Sequence, residues 1–171
     1  MKYPIYWPQY LTATILEWKK LLIQDKYKDI IIESLHFLVQ EKRIELNAFV
    51  IMNNHLHLIW QPLNDQTPEK IQHSLMSFTA HKFKTDLEEN HLKVLAHFKV
   101  EAKDRSYQFW ERNSLGIDLV NEGMFIQKLN YIHQNPVVAG LCLQPEDYHY
   151  SSAKFYENGI DDFEMLTHWR G

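Results

Sequence analysis

The sequence is short of three things. It has a single cysteine in 171 residues, Cys142, so no internal disulfide can form and a reducing compartment is expected. It has no apolar run longer than a few residues, so nothing in it is expected to span a membrane. It also has no surplus of positive charge. Its 18 Lys and Arg face 22 Asp and Glu, net −4, so the chain as a whole exerts no pull on nucleic acid. The opening Met1-Lys2-Tyr3-Pro4-Ile5-Tyr6-Trp7-Pro8 carries two prolines and no apolar core. That is not the pattern of a signal peptide, and the cytoplasm is the expected location.

What is present suits one soluble globular domain: 45% hydrophobic and 23% charged residues, over a length that buries a substantial core. There is no internal repeat and no low-complexity tract. The charge is unevenly spread. From Lys70 to Arg112 eight basic side chains outnumber six acidic ones, net +2, with His73, His81, His91 and His97 among them. From Gln144 to Gly171 six acids outnumber two bases, net −4. The acidity therefore belongs to the tail, and the middle can present a basic surface. A solvated helix face of mixed charge has the same composition.

The most informative stretch is Asn53-Asn54-His55-Leu56-His57-Leu58-Ile59-Trp60. Alternate side chains of a strand share a face, so His55 and His57 point one way while Leu56 and Leu58 point the other. Two imidazoles so placed can converge on one divalent cation. The motif alone is weak, because ten randomly scattered histidines produce such a pair about as often as not. Two half-exposed histidines on an edge strand are the plain alternative. Ile44 to Met52 has the composition of a partner strand, and Asn53-Asn54 suits the turn between them.

In chain order, Leu11 to Trp18 is rich in β-formers and reads as the first strand. Lys26 to Glu41 spaces Ile31, Leu35, Leu38 and Val39 as an amphipathic helix does. After the hairpin, Gln61 to Gln66 forms a loop. Thr67-Pro68-Glu69 then starts a helix that runs to about Asn90, burying Ile71, Leu75 and Phe78 and exposing Lys82 and Lys84. His91 to Ser106 reads as irregular. Tyr107 to Trp110 and Ile117 to Val120 read as a last strand and an edge segment. Asn121 or Glu122 opens a helix that buries Phe125, Leu129 and Ile132. Its other face carries Gln127, Tyr131 and Asn135, with Gln134 nearby. Pro136 disfavours helical angles at Asn135, so the helix is expected to end or re-cap there, or a short turn to close at Gly140. Strand-helix-strand-strand-helix implies an α+β two-layer sandwich, an antiparallel sheet with helices packed on it. A single domain over residues 1–171 is expected, with a core at about 11–141 and an aromatic, acidic tail over 142–171.

Met52-Asn53-Asn54-His55-Leu56-His57-Leu58, taken with Leu129-Asn130-Tyr131-Ile132-His133-Gln134-Asn135-Pro136-Val137-Val138-Ala139-Gly140-Leu141, resembles the single-tyrosine HUH transposases, named for a His-hydrophobic-His motif. Within these it is most similar to the repeat-associated tyrosine transposases. Phe109-Trp110-Glu111-Arg112 and Tyr148-His149-Tyr150-Ser151-Ser152-Ala153 follow in the family's order, so the resemblance runs from about Thr12 to Ala153. It implies a ferredoxin-like domain acting on single-stranded, hairpin DNA. In such enzymes a tyrosine attacks a phosphodiester, forms a 5′-phosphotyrosine and releases a 3′-OH that later reverses the step. A phenol is a poor nucleophile unaided, and a divalent metal, Mg²⁺ or Mn²⁺, assists by neutralising phosphate oxygens. By motif match Tyr131 is the nucleophile, His55 and His57 are metal ligands, and the third ligand is Asn135 or, as runner-up, Gln134. Lys82, Lys84 and Arg112 are the candidate DNA contacts, and the chain is expected as a monomer or homodimer. It departs from the family at Asn53, where many relatives have proline, and in its net acidity.

Two other readings stay open. One is a domesticated descendant that grips folded DNA without strand transfer. The other is a metal-dependent hydrolase using water, which requires an acid beside the His pair; none lies between Leu46 and Asn64.

Overall fold

The computed structural model describes residues 6–112 and 114–171; Met1–Ile5, the start of the segment expected not to be a signal peptide, lies outside the described residues. Four strands, Gln9–Thr14 (β1), Ile44–Ile51 (β2), His55–Pro62 (β3) and Leu115–Asp118 (β4), form one antiparallel sheet in the order β2-β3-β1-β4. Asp25–Gln40 (α1) joins β1 to β2, and Pro68–Asn90 (α2), followed by the short Leu92–Ala96 (α3), joins β3 to β4. This β-α-β-β-α-β path, with β1 and β3 central, is the ferredoxin-like arrangement expected of the sequence. No helix among the described residues is long and apolar enough to cross a membrane.

Strand alternation divides the side chains between two cores. Leu11, Ala13, Leu56, Leu58 and Trp60 pack beneath α1 and α2, against Ile31, Leu35, Leu38, Ile71, Leu75, Phe83 and Leu87. Tyr10, Val50, Met52 and Ile59 point the other way, against Phe125, Leu129 and Ile132 of a further helix, Glu122–Val138 (α4). A register shift between Leu46 and Ala48 of β2 swaps the parity of that strand, so that Leu46, Phe49 and Ile51 all serve the first core. Helices thus cover both faces, with α4 across the second, joined there by Tyr148, Tyr156 and Trp169 of the tail.

Capping side chains set the helix starts. Thr67 Oγ1 accepts the Lys70 N–H at 3.2 Å, and Asn121 Oδ1 accepts the Met124 N–H at 2.9 Å. The end of α4 corrects the sequence reading. It runs through Pro136 to Val138, with Asn135 helical, and then closes in a Schellman motif. Leu141 N–H donates to Pro136 O, Gly140 N–H donates to Val137 O, and Gly140 sits at φ +75°. Pro136 is buried, and that packing outweighs its helix-breaking tendency.

Three further expectations are revised. The first strand stops at Thr14 instead of reaching Trp18, because Glu17 and Trp18 adopt left-handed angles. Phe78 is 36% exposed, since the i, i+4 stripe of α2 runs Ile71, Leu75, Thr79, Phe83, Leu87. Tyr107 to Trp110 makes only single bridges, to Lys99 and Ile15, and the fourth strand is Leu115–Asp118. The tail packs back as expected. It hydrogen-bonds along the outer edge of β2 through Ile51 N to Tyr150 O, Ser152 N to Phe49 O and Thr167 N to Leu46 O, covering an edge that would otherwise be open. Its short helix, Ala153–Asn158 (α5), leaves from this edge.

Candidate active site

The tight turn at Asn53-Asn54 delivers His55 and His57 to the α4 face of β3, their rings 4.9 Å apart between centroids. Register places Thr12 opposite His57, and Tyr10 lies two residues along on the same face. The hydroxyls of both lie 2.9 Å from His57 Nδ1, and the Tyr10 ring stacks on the imidazole at 5.5 Å. The His55 ring is held similarly, its Nδ1 2.7 Å from Asn54 Oδ1. An amide oxygen only accepts, so His55 carries its proton on Nδ1 and Nε2 is the nitrogen with a lone pair. His57 Nε2 is buried with no hydrogen-bond partner among the described residues. An orphaned buried nitrogen on a ring 4.9 Å from a second imidazole is the donor chemistry of a cation site, and tethered Nδ1 atoms are how such ligands are oriented.

α4 crosses above this pair. Tyr131, 51% exposed, brings its ring to 5.4 Å from that of His57. Asn135, one turn on, reaches His55 as a polar partner, whereas Gln134 points to solvent. Lys128, one turn before Tyr131, holds Nζ 4.7 Å from the Tyr10 ring centroid and 6.0 Å from that of Tyr131. His55, His57, Tyr131 and Asn135 therefore meet within one chain. Adjacent His133 does not join them: it is buried on the far side of α4, with Nε2 2.8 Å from the Ser152 hydroxyl.

Electrostatics keep the imidazoles neutral. Burial, with His55 and Lys128 adding like charge, pushes His57 down to about 3. Burial also lowers His55, opposed by its contact with Asn135. Burial raises Tyr10, so it stays a protonated phenol available to His57. Neutral imidazoles have no proton to displace before binding a metal. Among the described residues no three His, Cys, Asp or Glu side chains cluster as a metal site.

Beside His55 the backbone is strained. Glu17 and Trp18 sit at φ +54° and +57°, each costing a non-glycine residue about 1–2 kcal/mol. Hydrogen bonds compensate: Ile15 N–H to Asn54 O, Leu16 N–H to Phe109 O and Leu22 N–H to Asn53 O, while the Glu111 carboxylate accepts the Glu17 N–H.

Of the basic candidates, Lys84 and Arg112 line one groove of about 730 Å³ between α2 and the 104–112 segment, together with His73, His81 and Arg105. Lys82 lies outside it, over the Phe78 ring. Both groove residues already have acidic partners, Lys84 with Glu88 and Arg112 with Asp104. The sequence reading missed Tyr10, Thr12, Asn54 and Lys128. The i−3 spacing of Lys128 from Tyr131 was a usable signal; the others depend on strand register and turn geometry.

A four-stranded antiparallel sheet bearing a same-face His pair beneath a tyrosine-bearing helix defines the class as an α+β domain. The sequence matches the family described as "Transposase IS200 like" over residues 9–111, more than half of the chain, and the protein belongs to that family. The match takes in His55 and His57 and ends before α4. Among solved structures, one described as a REP-associated tyrosine transposase bound to a REP hairpin is similar in fold, with 17% identity over 98% of this chain and 90% of that one, at a TM-score of 0.66. A candidate transposase from Deinococcus radiodurans aligns over 77% of this chain and 95% of its own, at 17% identity and a TM-score of 0.48. No curated protein is significantly similar.

Proposed function

We propose that this IS200-like transposase nicks and rejoins single-stranded DNA, with Tyr131 attacking a phosphodiester held over His55 and His57. The observation that carries the reading is the convergence of Tyr131 on an imidazole whose buried Nε2 has no partner. His55, His57 and Asn135 are the residues that would hold a divalent metal, and imidazole donors favour Mn²⁺ over Mg²⁺. When bound, such a cation supplies charge neutralisation at the phosphate oxygens. Three neutral protein donors leave that positive charge for the substrate.

Tyr131 Oη forms its bond to phosphorus as the bond to the 3′ oxygen breaks. The phenolic proton passes to solvent, and the departing oxygen takes one up as a 3′-OH. The 5′ end stays on Tyr131 until a 3′-OH attacks the phosphotyrosine and restores the diester. Tyr10 and Thr12 hold the His57 ring in place throughout, and Lys128 faces the phosphate with a second positive charge.

A hairpin is the preferred form of substrate. This rests on the fold shared with a protein described as hairpin-bound, and on the open groove of mixed charge that Lys84, Arg105 and Arg112 line. The site groups lie within one chain, an arrangement that suits a monomer or a homodimer, and the cytoplasm is the proposed setting. A labelled hairpin with a single-stranded extension, incubated with the protein and Mn²⁺, should yield a denaturant-stable protein–DNA adduct that chelation prevents. A panel of such hairpins that are bound but neither nicked nor attached would favour a DNA-binding descendant instead.

A further inference from the structure

Trp18 is 61% exposed, yet nothing about its position is loose. It sits in the left-handed turn at φ +57°, which a tryptophan adopts only when its surroundings impose it. The turn is tied to the site by one carboxamide: Asn54 Nδ2 donates to Trp18 O at 3.3 Å while Asn54 Oδ1 meets His55 Nδ1 at 2.7 Å. The indole meets the His55 ring edge-on, 5.8 Å between centroids and 66° between planes. A large aromatic surface is thus held open to solvent, next to the imidazole that faces the reacting phosphate. Two lysines follow it, Lys19 paired with Glu17 and Lys20 exposed. Burying Trp18 would have stabilised the fold, and a glycine would have relaxed the turn.

We propose that Trp18 is a stacking platform for the nucleobase next to the phosphate that Tyr131 attacks, a subsite that holds the strand in place over the His pair. This rests on the nicking reading above. A base lies one sugar from its phosphate, so a strand whose phosphate sits over the His pair places a flanking base within reach of the indole. Stacking on an exposed tryptophan accepts any base and is strongest for purines, since every base has a π-face. The groove lined by Glu111 approaches from the same side, because the Glu111 carboxylate receives the Glu17 amide.

The test pairs changes in protein and DNA, read as anisotropy binding of a labelled hairpin whose single-stranded extension carries one abasic sugar at each position in turn. Wild-type protein should lose affinity about tenfold at one position, as expected for removal of one stacked base. Tryptophan emission should be quenched by intact DNA and much less by that abasic strand. Trp18→Gly suits the left-handed angle, so it should fold with an unchanged or raised Tm. It should bind intact DNA about tenfold more weakly and be indifferent to the abasic sugar at that position alone, while Trp18→Phe recovers most of the loss. Trp18→Gly binding as tightly as wild type, or losing affinity equally at every abasic position, overturns the platform. If the wild-type protein binds no single-stranded DNA at all, the nicking reading itself fails.

Discussion

The two faces of the sheet are built from the same strands and do opposite work. Toward α1 and α2 the three strands β1, β2 and β3 contribute hydrocarbon, Leu11 and Ala13 from β1, Leu46, Phe49 and Ile51 from β2 and Leu56, Leu58 and Trp60 from β3. Toward α4 the alternate positions of the same strands read Tyr10 and Thr12, then His55, His57 and Ile59. The polar groups on the first side, such as the Trp110 indole N–H and the Thr79 hydroxyl, are paired, and that side sets stability. The second keeps a buried nitrogen, His57 Nε2, without a partner among the described residues, at a cost in stability that a purely structural face would not carry. The contrast separates residues whose loss unfolds the protein from residues whose loss silences it.

The sharpest way to break that contrast is Tyr131→Phe. It removes one oxygen from a half-exposed ring, so stability should shift by less than about 0.5 kcal/mol. Adduct formation should fall at least about 10³-fold, to the assay floor, because no oxygen remains to take the phosphate. Retention of the adduct would remove Tyr131 from the chemistry.

On the opposite face, Leu58→Ala should cost about 2–5 kcal/mol in denaturant unfolding, as for other fully buried leucines. Adduct yield per folded molecule should hardly change. A variant that stayed folded but lost activity would mean the faces are coupled, contrary to the division drawn here.

The α4 side should also be the acid-sensitive one. Burial pushes His133 down to about 4 from an ordinary 6.5, so the folded state binds fewer protons than the unfolded chain between those values. Stability from this group is complete above pH 6.5 and is lost as pH falls toward 4, by at most about 3 kcal/mol. Thermal melts from pH 7.5 to 4.5 should show a falling Tm whose slope His133→Gln lessens, the remainder coming from His57. Equal slopes in the two proteins would refute the assignment.

The smallest effect expected is at Lys128. Lys128→Ala should slow adduct formation about tenfold without unfolding the chain. It should also lessen the log–log salt dependence of single-strand binding by about 0.7, the value of one phosphate contact. An unchanged salt slope would leave Lys128 as packing for the two tyrosine rings.

The sequence made some of this face legible because the relevant rules are local. Alternation puts His55 and His57 together, and i, i+4 spacing puts Tyr131 and Asn135 on one side of a helix. What stayed hidden depends on register and tertiary context. Tyr10 and Thr12 join the site only because β1 pairs with β3 so that Thr12 opposes His57. Trp18 read as the end of a strand, since nothing local announces two consecutive left-handed non-glycine residues. Pro136 read as a helix end, and burial with a glycine-closed cap overrode that preference. Lys82 and Lys84, two apart on one helix, necessarily point in different directions, and only Lys84 reaches the groove.

The central claim is that the α4 face brings one particular tyrosine onto the His pair. The most direct measurement is to trap the Mn²⁺-dependent adduct, digest protein and DNA, and identify the modified peptide by mass spectrometry. The account predicts a nucleotide 5′-phosphate on Tyr131 alone. Attachment at Tyr10, Tyr148 or any other of the nine tyrosines would contradict it.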